Sequence, residues 1–281
     1  MAYCLVLCFA HLSDRFVLYP TTAPINARGA TRHVLNFHPV PARWENTVGA
    51  ELEIWQAQSR LARERGAAEL FVLRFYGNGD RAERWLADEA ESWDGRATEI
   101  WGVNYPGFGG SSGPARLATV GPAALAACDA IKRAAGERPV VIFGASFGTT
   151  AALHVAAERP GAVAGLVLHN PPAIREMILG RFGWWNLWLL AGPVALGVPT
   201  TLDSVANARR VHVPAIFILA EKDGFVLPKY QRLVASAYAG PKEVIVLPGA
   251  DHNSPVGGSA LAELHAALDR LLPRAGSPAA R

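Results

Sequence analysis

Cysteine is scarce in this sequence: Cys4, Cys8 and Cys128 are the only three in 281 residues, an odd number at unrelated spacings that gives no disulfide framework. There is no C-x-x-C pair and no Cys/His cluster of zinc-ligand spacing, so neither a metal ion nor any other cofactor is expected. Buried thiols in a reducing, cytoplasmic setting are the favoured reading.

Charge is also sparse. Charged residues make up 18% of the chain, the formal net charge is +3, and the basic residues are scattered rather than gathered into runs. No nucleic-acid partner is expected from such a distribution. Long apolar runs are missing too. The opening stretch MAYCLVLCFAHL is apolar but shorter than the roughly 20 residues a membrane span needs, and it carries no basic flank and no small-residue cleavage site. Two readings of residues 1–12 stay open: an ordinary packed segment, or the remnant of a longer signal or anchor helix abutting Asp14 and Arg15, which would associate the protein with a membrane. No internal repeat occurs.

Apolar residues, by contrast, reach 51%, enough for a substantial core. From Glu69 onward, short β-branched runs alternate with amphipathic stretches, the pattern of βαβ units around a mostly parallel sheet with helices on both faces. Strands are expected at 70–75, 99–103, 140–143, 163–168, 215–219 and 244–247, with helices at 81–93, 120–135, 149–158, 228–238 and 259–272. Residues 33–37 and 51–57 alternate apolar and polar around a Pro-containing loop and predict an antiparallel leading hairpin. Residues 171–213 break the rhythm. They open on Pro171-Pro172, continue through GRFGWWNLWLLAGP, and read as an insertion over the sheet. One α/β domain over residues 13–272 and a frayed tail over 273–281 complete the expected organisation.

Within this scheme, FGASFGTT at 143–150 places Ser146 between an apolar strand and a small-residue helix. A serine hydroxyl is a weak nucleophile until a base takes its proton, and the base must reach it unobstructed. A sharp strand-to-helix turn lifts the side chain clear, and glycines two residues away on either side, Gly144 and Gly148, relieve the crowding such a turn creates. In a chain with 27 glycines the bare G-x-S-x-G pattern arises easily by chance, so its partners decide its meaning. An acid and then a histidine should follow at the ends of later strands. Asp223, in the loop after 215–219, is the expected acid, with Glu221 its nearest rival and Asp251 a poorer one. His252, after 244–247, is the expected base. Of the other histidines, His154 and His265 fall in helices, and His169, at a strand end near the site, is the competitor. The oxyanion donors are expected to be the backbone N–H groups of Phe147 and of Asn78, the latter in the loop Tyr76-Gly77-Asn78-Gly79-Asp80.

Taken together, FYGNGD, NYPGFGGSSG, FGASFG, AEKDGFVLP and GADHN resemble the α/β-hydrolase superfamily, above all the branch with acyl-protein thioesterases and monoacyl-lipid hydrolases. The resemblance runs from about Val17 to Leu272. It implies the α/β-hydrolase fold, a short cap formed by the insertion, and serine hydrolysis of a small-molecule ester or thioester with a hydrophobic acyl group through an acyl-enzyme. A serine peptidase or amidase on the same triad, and a catalytically silent binding protein, remain as alternatives. Tyr76 stands where that branch usually has histidine. The loop Asn104–Gly109 reads as structural, with Tyr105 retained as a pocket-lining candidate. In the cap, Trp184, Trp185 and Trp188 are candidates for lining an acyl pocket, for packing on the core, or for contact with a membrane surface.

Overall fold

A computed structural model of the chain describes residues 11–37, 49–93 and 95–272. The apolar start, with Cys4 and Cys8, the greater part of the hairpin loop and the tail lie outside the described residues. Among the described residues, eight strands form one sheet: β1 (Thr31–Phe37), β2 (Ala50–Gln58), β3 (Leu70–Phe75), β4 (Thr98–Val103), β5 (Val140–Ala145), β6 (Gly165–His169), β7 (Ala215–Ala220) and β8 (Lys242–Leu247). Their order is β1-β2-β4-β3-β5-β6-β7-β8. The β1/β2 and β2/β4 pairings are antiparallel and all others parallel. The leading hairpin therefore adds the antiparallel edge to an otherwise parallel sheet.

The helices are α1 (Leu12–Val17), α2 (Arg60–Arg65), α3 (Ala82–Ser92), α4 (Leu117–Ala135), α5 (Gly148–Glu158), α6 (Ile174–Asn186), α7 (Gly192–Leu196), α8 (Ser204–Ala208), α9 (Pro228–Ala237) and α10 (Gly258–Leu271). Two apolar cores result. One, between the sheet and α4, α5 and α9, holds Leu117, Ile131, Leu153, Phe217 and Val234. The other, beneath α3 and α10, holds Val72, Leu86, Ile216 and Leu264. β3 and β7 are buried along their whole length, as expected of strands covered on both faces.

The structure differs from the sequence reading at β6 and at α2 and agrees with it that the insertion is strandless. The strand expected at 163–168 begins at Gly165 and runs on to His169, in register with Ala145. Helix α2 lies in a stretch with too few apolar residues to show a periodic face; instead it is set by its ends, Ser59 accepting from the Ala62 amide and Gly66 closing in the left-handed region. The insertion after β6 contains no strand among the described residues: α6 passes through a π-helical turn at Leu187–Ala191 into α7, followed by a 3₁₀ turn at Thr200–Leu202 and α8.

Candidate active site

β5 ends in a turn that leaves Ser146 at φ 48°, a left-handed conformation that a residue with a β-carbon adopts only under constraint. The constraint is visible. The Ser146 amide donates to the His169 carbonyl at 2.8 Å, and the Ser146 carbonyl accepts from the Thr149 amide at 2.9 Å and the Thr149 hydroxyl at 2.7 Å. Gly144 and Gly148 leave space that the turn requires: a β-carbon on Gly144 would lie 2.7 Å from the Gly148 carbonyl oxygen, and one on Gly148 would run into the Phe75 carbonyl.

Three chain-distant loops meet at this turn. His252 Nε2 lies 3.0 Å from Ser146 Oγ, and His252 Nδ1 lies 2.7 Å from Asp223 Oδ2. Asp223 is buried, yet its carboxylate is fully engaged. Oδ1 accepts from the Phe225 and Val226 amides, each at 2.8 Å, and Oδ2 accepts from Gln231 Nε2 at 3.0 Å as well as from the imidazole. Those donations offset the cost of burying its charge. The structure thus brings together Ser146, His252 and Asp223 and leaves the rivals elsewhere. Glu221 accepts from the Gly249 amide, and Asp251 closes a local turn with Asn253 and Ser254.

His169 is half-buried beside the site with its Nε2 enclosed, and its imidazole is pushed down to about 4 by desolvation and then by the positive charge of Arg74. Its Nε2 has no hydrogen-bond partner among the described residues. It meets Ser146 only through its backbone carbonyl.

At the expected oxyanion positions, the Phe147 and Asn78 amides donate to no group among the described residues. The Asn78 side chain is tied down on both sides, its amide nitrogen donating to the Val17 carbonyl and its Oδ1 accepting from the Tyr19 amide at 2.9 Å. That pins the loop while leaving the backbone N–H unclaimed. Gly77, immediately before it, faces Ser146: a β-carbon there would sit 3.6 Å from Ser146 Cβ. Tyr76 finds its own partner, its hydroxyl donating to Glu89 Oε2 at 3.0 Å. Burial and the Glu89 carboxylate push the phenol well above its ordinary range.

Tyr105 does not line a pocket. It is buried in the core, its ring edge-on to Phe147 and Phe108 and its hydroxyl bonded to the Tyr76 carbonyl at 3.3 Å. Asn104 anchors this loop through Nδ2 to Glu53 at 2.6 Å and Glu83 at 2.8 Å. Trp184 and Trp185 are 84% and 60% exposed, so in this structure they neither pack on the core nor wall an enclosed acyl pocket. The side chain of Trp188 lies outside the described residues.

The arrangement of strands, elbow and loops decides the architecture. The chain has the α/β-hydrolase fold. A family model described as the alpha/beta hydrolase fold matches residues 75–210. Solved α/β structures similar to this chain include an esterase of Pyrococcus furiosus (13% identity, TM-score 0.63, covering 91% of this chain and 97% of that one). They also include a thermophilic esterase of Thermogutta terrifontis (16%, 0.58, 85% and 99%) and a monoacylglycerol lipase of Paleococcus ferrophilus (20%, 0.56, 77% and 96%). Among curated proteins, an uncharacterized protein in each of two Mycobacterium tuberculosis strains is 30% identical over 117 residues. That match spans 41% of this chain and 38% of the length of those relatives.

Two residues that sequence reasoning missed complete this candidate site. Asn170, at φ 49° directly after β6, is buried; its Nδ2 donates to the His252 carbonyl at 3.2 Å and its Oδ1 accepts from the Ala220 amide at 2.9 Å. It joins the loop that carries His252 to the end of the strand that leads to Asp223. An Asn at the end of a strand, where the left-handed region is easily entered, was the available signal. Gln231 on α9 had none: one polar residue on an amphipathic helix does not show that it faces inward.

Proposed function

We propose that the protein is a metal-independent serine hydrolase acting on carboxylic esters or thioesters with a hydrophobic acyl group through an acyl-enzyme. The observation that carries this reading is the continuous relay Ser146 Oγ, His252, Asp223, at 3.0 and 2.7 Å, beside two unclaimed amides.

In this mechanism His252 Nε2 takes the Ser146 proton as Oγ adds to the substrate carbonyl carbon. Asp223 holds the imidazole in the tautomer with Nδ1 protonated and stabilises the imidazolium that forms. The carbonyl oxygen becomes an anion between the Phe147 and Asn78 N–H groups. His252 then returns the proton to the departing alkoxide or thiolate, and the acyl group remains on Oγ. Water, deprotonated by His252, adds to the acyl carbon, and collapse of that second tetrahedral species releases the carboxylic acid and restores the serine. No step requires a metal ion or a cofactor. The hydrophobic preference rests on the apolar rim: Phe225, exposed, has its ring 5.1 Å from that of His252, and Leu227 follows it.

Labelling with a fluorophosphonate tests the reading. The wild-type chain should label and the folded Ser146→Ala protein should not; equal labelling of the two would overturn it, and failure of the wild type to label would favour a silent binding protein. Matched ester, thioester and amide substrates then separate the esterase from the amidase. Activity should be unchanged by a chelator.

A further inference from the structure

From Met177 to Leu202 the sequence runs through 26 residues with a single charged side chain, Arg181. At the base of this segment Arg175 and Asp203 neutralise each other at 2.9 Å. Such a stretch in a folded domain would ordinarily be buried. Here it is not: Leu179, Phe182, Trp184, Trp185, Leu187 and Leu196 are all exposed. Helix α6 is anchored by its other side, through buried Ile174 and Asn186 and through Gly180, where an added β-carbon would strike the Tyr230 hydroxyl of α9. Since α9 begins just after Phe225 and Leu227, the helix that seats α6 also follows directly on the rim of the site.

A second element reaches the same surface. α1 packs on α7, Ser13 Oγ donating to the Val194 carbonyl at 2.9 Å, and presents Phe16 outward. The ten residues that lead into it, MAYCLVLCFA, contain no charged side chain. Two helices far apart in sequence, α1 and α7, therefore meet on one side of the molecule.

We propose that this face, α6 through α7 with α1 beside it, docks on the surface of a phospholipid bilayer. Monomeric soluble proteins rarely leave a large contiguous apolar patch to water, so an occupant is required. Charge selects the occupant. Between Met177 and Leu202 the ionic group is the Arg181 guanidinium, which lies 5.7 Å over the Phe182 ring and can extend past apolar neighbours to a phosphate; Glu176 lies earlier on α6, and α1 adds the exposed Arg15. A twofold contact between two copies of the segment would set it against a face with no carboxylate between Met177 and Leu202. A bilayer surface supplies phosphates above a region that accepts tryptophan rings, whose apolar bodies and N–H groups suit the boundary between water and hydrocarbon.

The test is sedimentation of the full chain with vesicles of phosphatidylcholine and phosphatidylglycerol, which does not depend on any chemistry at Ser146; fluorophosphonate labelling reports on that separately. The wild type should pellet with the vesicles. The double variant Trp184→Ala/Trp185→Ala should lose at least about tenfold in partitioning, because each large ring withdrawn from water contributes strongly. Arg181→Ala should weaken binding to the anionic mixture more than binding to pure phosphatidylcholine, whose phosphate is offset by its choline charge. Val246→Ser, at an exposed apolar residue on edge strand β8, should bind as wild type. Melting temperatures confirm that each variant is folded. The proposal is overturned if the wild type does not pellet, if the tryptophan pair can be removed without loss, or if sizing in lipid-free buffer shows a dimer that the double variant dissolves. An Arg181→Ala protein that still binds the anionic mixture as wild type would overturn the phosphate contact.

Discussion

Gln231 Nε2 donates to Asp223 Oδ2 at 3.0 Å and to the Val226 carbonyl at 2.8 Å, while its own Oε1 is buried without a partner among the described residues. Both hydrogens of the amide are committed, and flipping it would turn Oε1 onto the carboxylate. One side chain thus holds the carboxylate that orients His252 and the loop that carries Phe225. Gln231→Leu removes these donations but also removes the orphaned oxygen, so stability should change little while orientation suffers. The expected result is a loss of about tenfold in kcat, or about 1.4 kcal/mol, with KM unchanged because Gln231 is not placed to touch substrate. Steady-state kinetics on a soluble ester beside urea denaturation would check it. A parallel fall in stability with no change in kcat would show that the glutamine only supports packing.

The two acids after β7 should behave oppositely. Asp223 meets the imidazole and Glu221 meets only the Gly249 amide, at 2.8 Å. Asp223→Asn should cost up to about 10⁴ in rate, because an amide facing Nδ1 favours the wrong tautomer. Glu221→Gln keeps an acceptor for Gly249 and should leave kcat/KM within about twofold of wild type, as expected for a surface substitution outside the site. The comparison needs only one ester at neutral pH. A more damaging Glu221 variant would reassign the acid.

How legible these parts were in the sequence depends on how local their causes are. The parallel strands showed as short apolar runs because a strand covered on both faces is largely apolar, and the elbow showed because Gly144 and Gly148 stand two residues either side of Ser146. Asp223 and His252 followed from topology, which places both strand ends on the edge where Ser146 stands. Tyr105, and Trp184 with Trp185, were read less well, for opposite reasons. Nothing local distinguishes an aromatic that stacks in the core, as Tyr105 does, from one that lines a cavity. Nor does an apolar helix reveal which face is covered, so the exposure of Trp184 emerged only from the packing of α6 on α9. Gln231 and Asn170 act through partners 8 and 82 residues away, a relation that no local pattern expresses.

Acid should weaken the fold through His169. Its imidazole is held down to about 4 by burial and by Arg74, against an ordinary value near 6.5. As pH falls below about 6.5 the unfolded chain takes up the proton while the folded one does not, so stability declines until the pH reaches about 4. The full effect is on the order of 3 kcal/mol. His154 and His265, also lowered by burial, act in the same direction. His169→Leu should therefore flatten, without abolishing, the loss of urea resistance between pH 7 and pH 5. The Ser146 amide would still find its backbone acceptor. An unchanged slope in the variant would show that His169 is not the group responsible.

Gly148 and Gly77 both border Ser146, yet alanine should be rejected at one and accepted at the other. At Gly148 the new β-carbon would lie 2.6 Å from the Phe75 carbonyl carbon and 2.7 Å from the Tyr76 carbonyl oxygen, both backbone atoms of a central strand and its loop. Neither can retreat without disturbing β3 or the Asn78 loop. At Gly77 the nearest atoms are Ser146 Cβ at 3.6 Å and the Ala145 carbonyl oxygen at 3.8 Å, ordinary contacts, and its backbone is not in the left-handed region. Gly148→Ala should thus cost at least about 1–3 kcal/mol, the range for overpacking a core, and should reduce fluorophosphonate labelling by displacing the elbow from the oxyanion loop. Gly77→Ala should fold with a melting temperature close to wild type. Its effect should appear in substrate binding alone, because the added methyl group stands against Ser146, where the acyl carbonyl must enter. Thermal unfolding together with the labelling rate of each variant decides the point, and a Gly148→Ala protein as stable as wild type would mean that the strand and helix are not as closely apposed at the elbow as the structure places them.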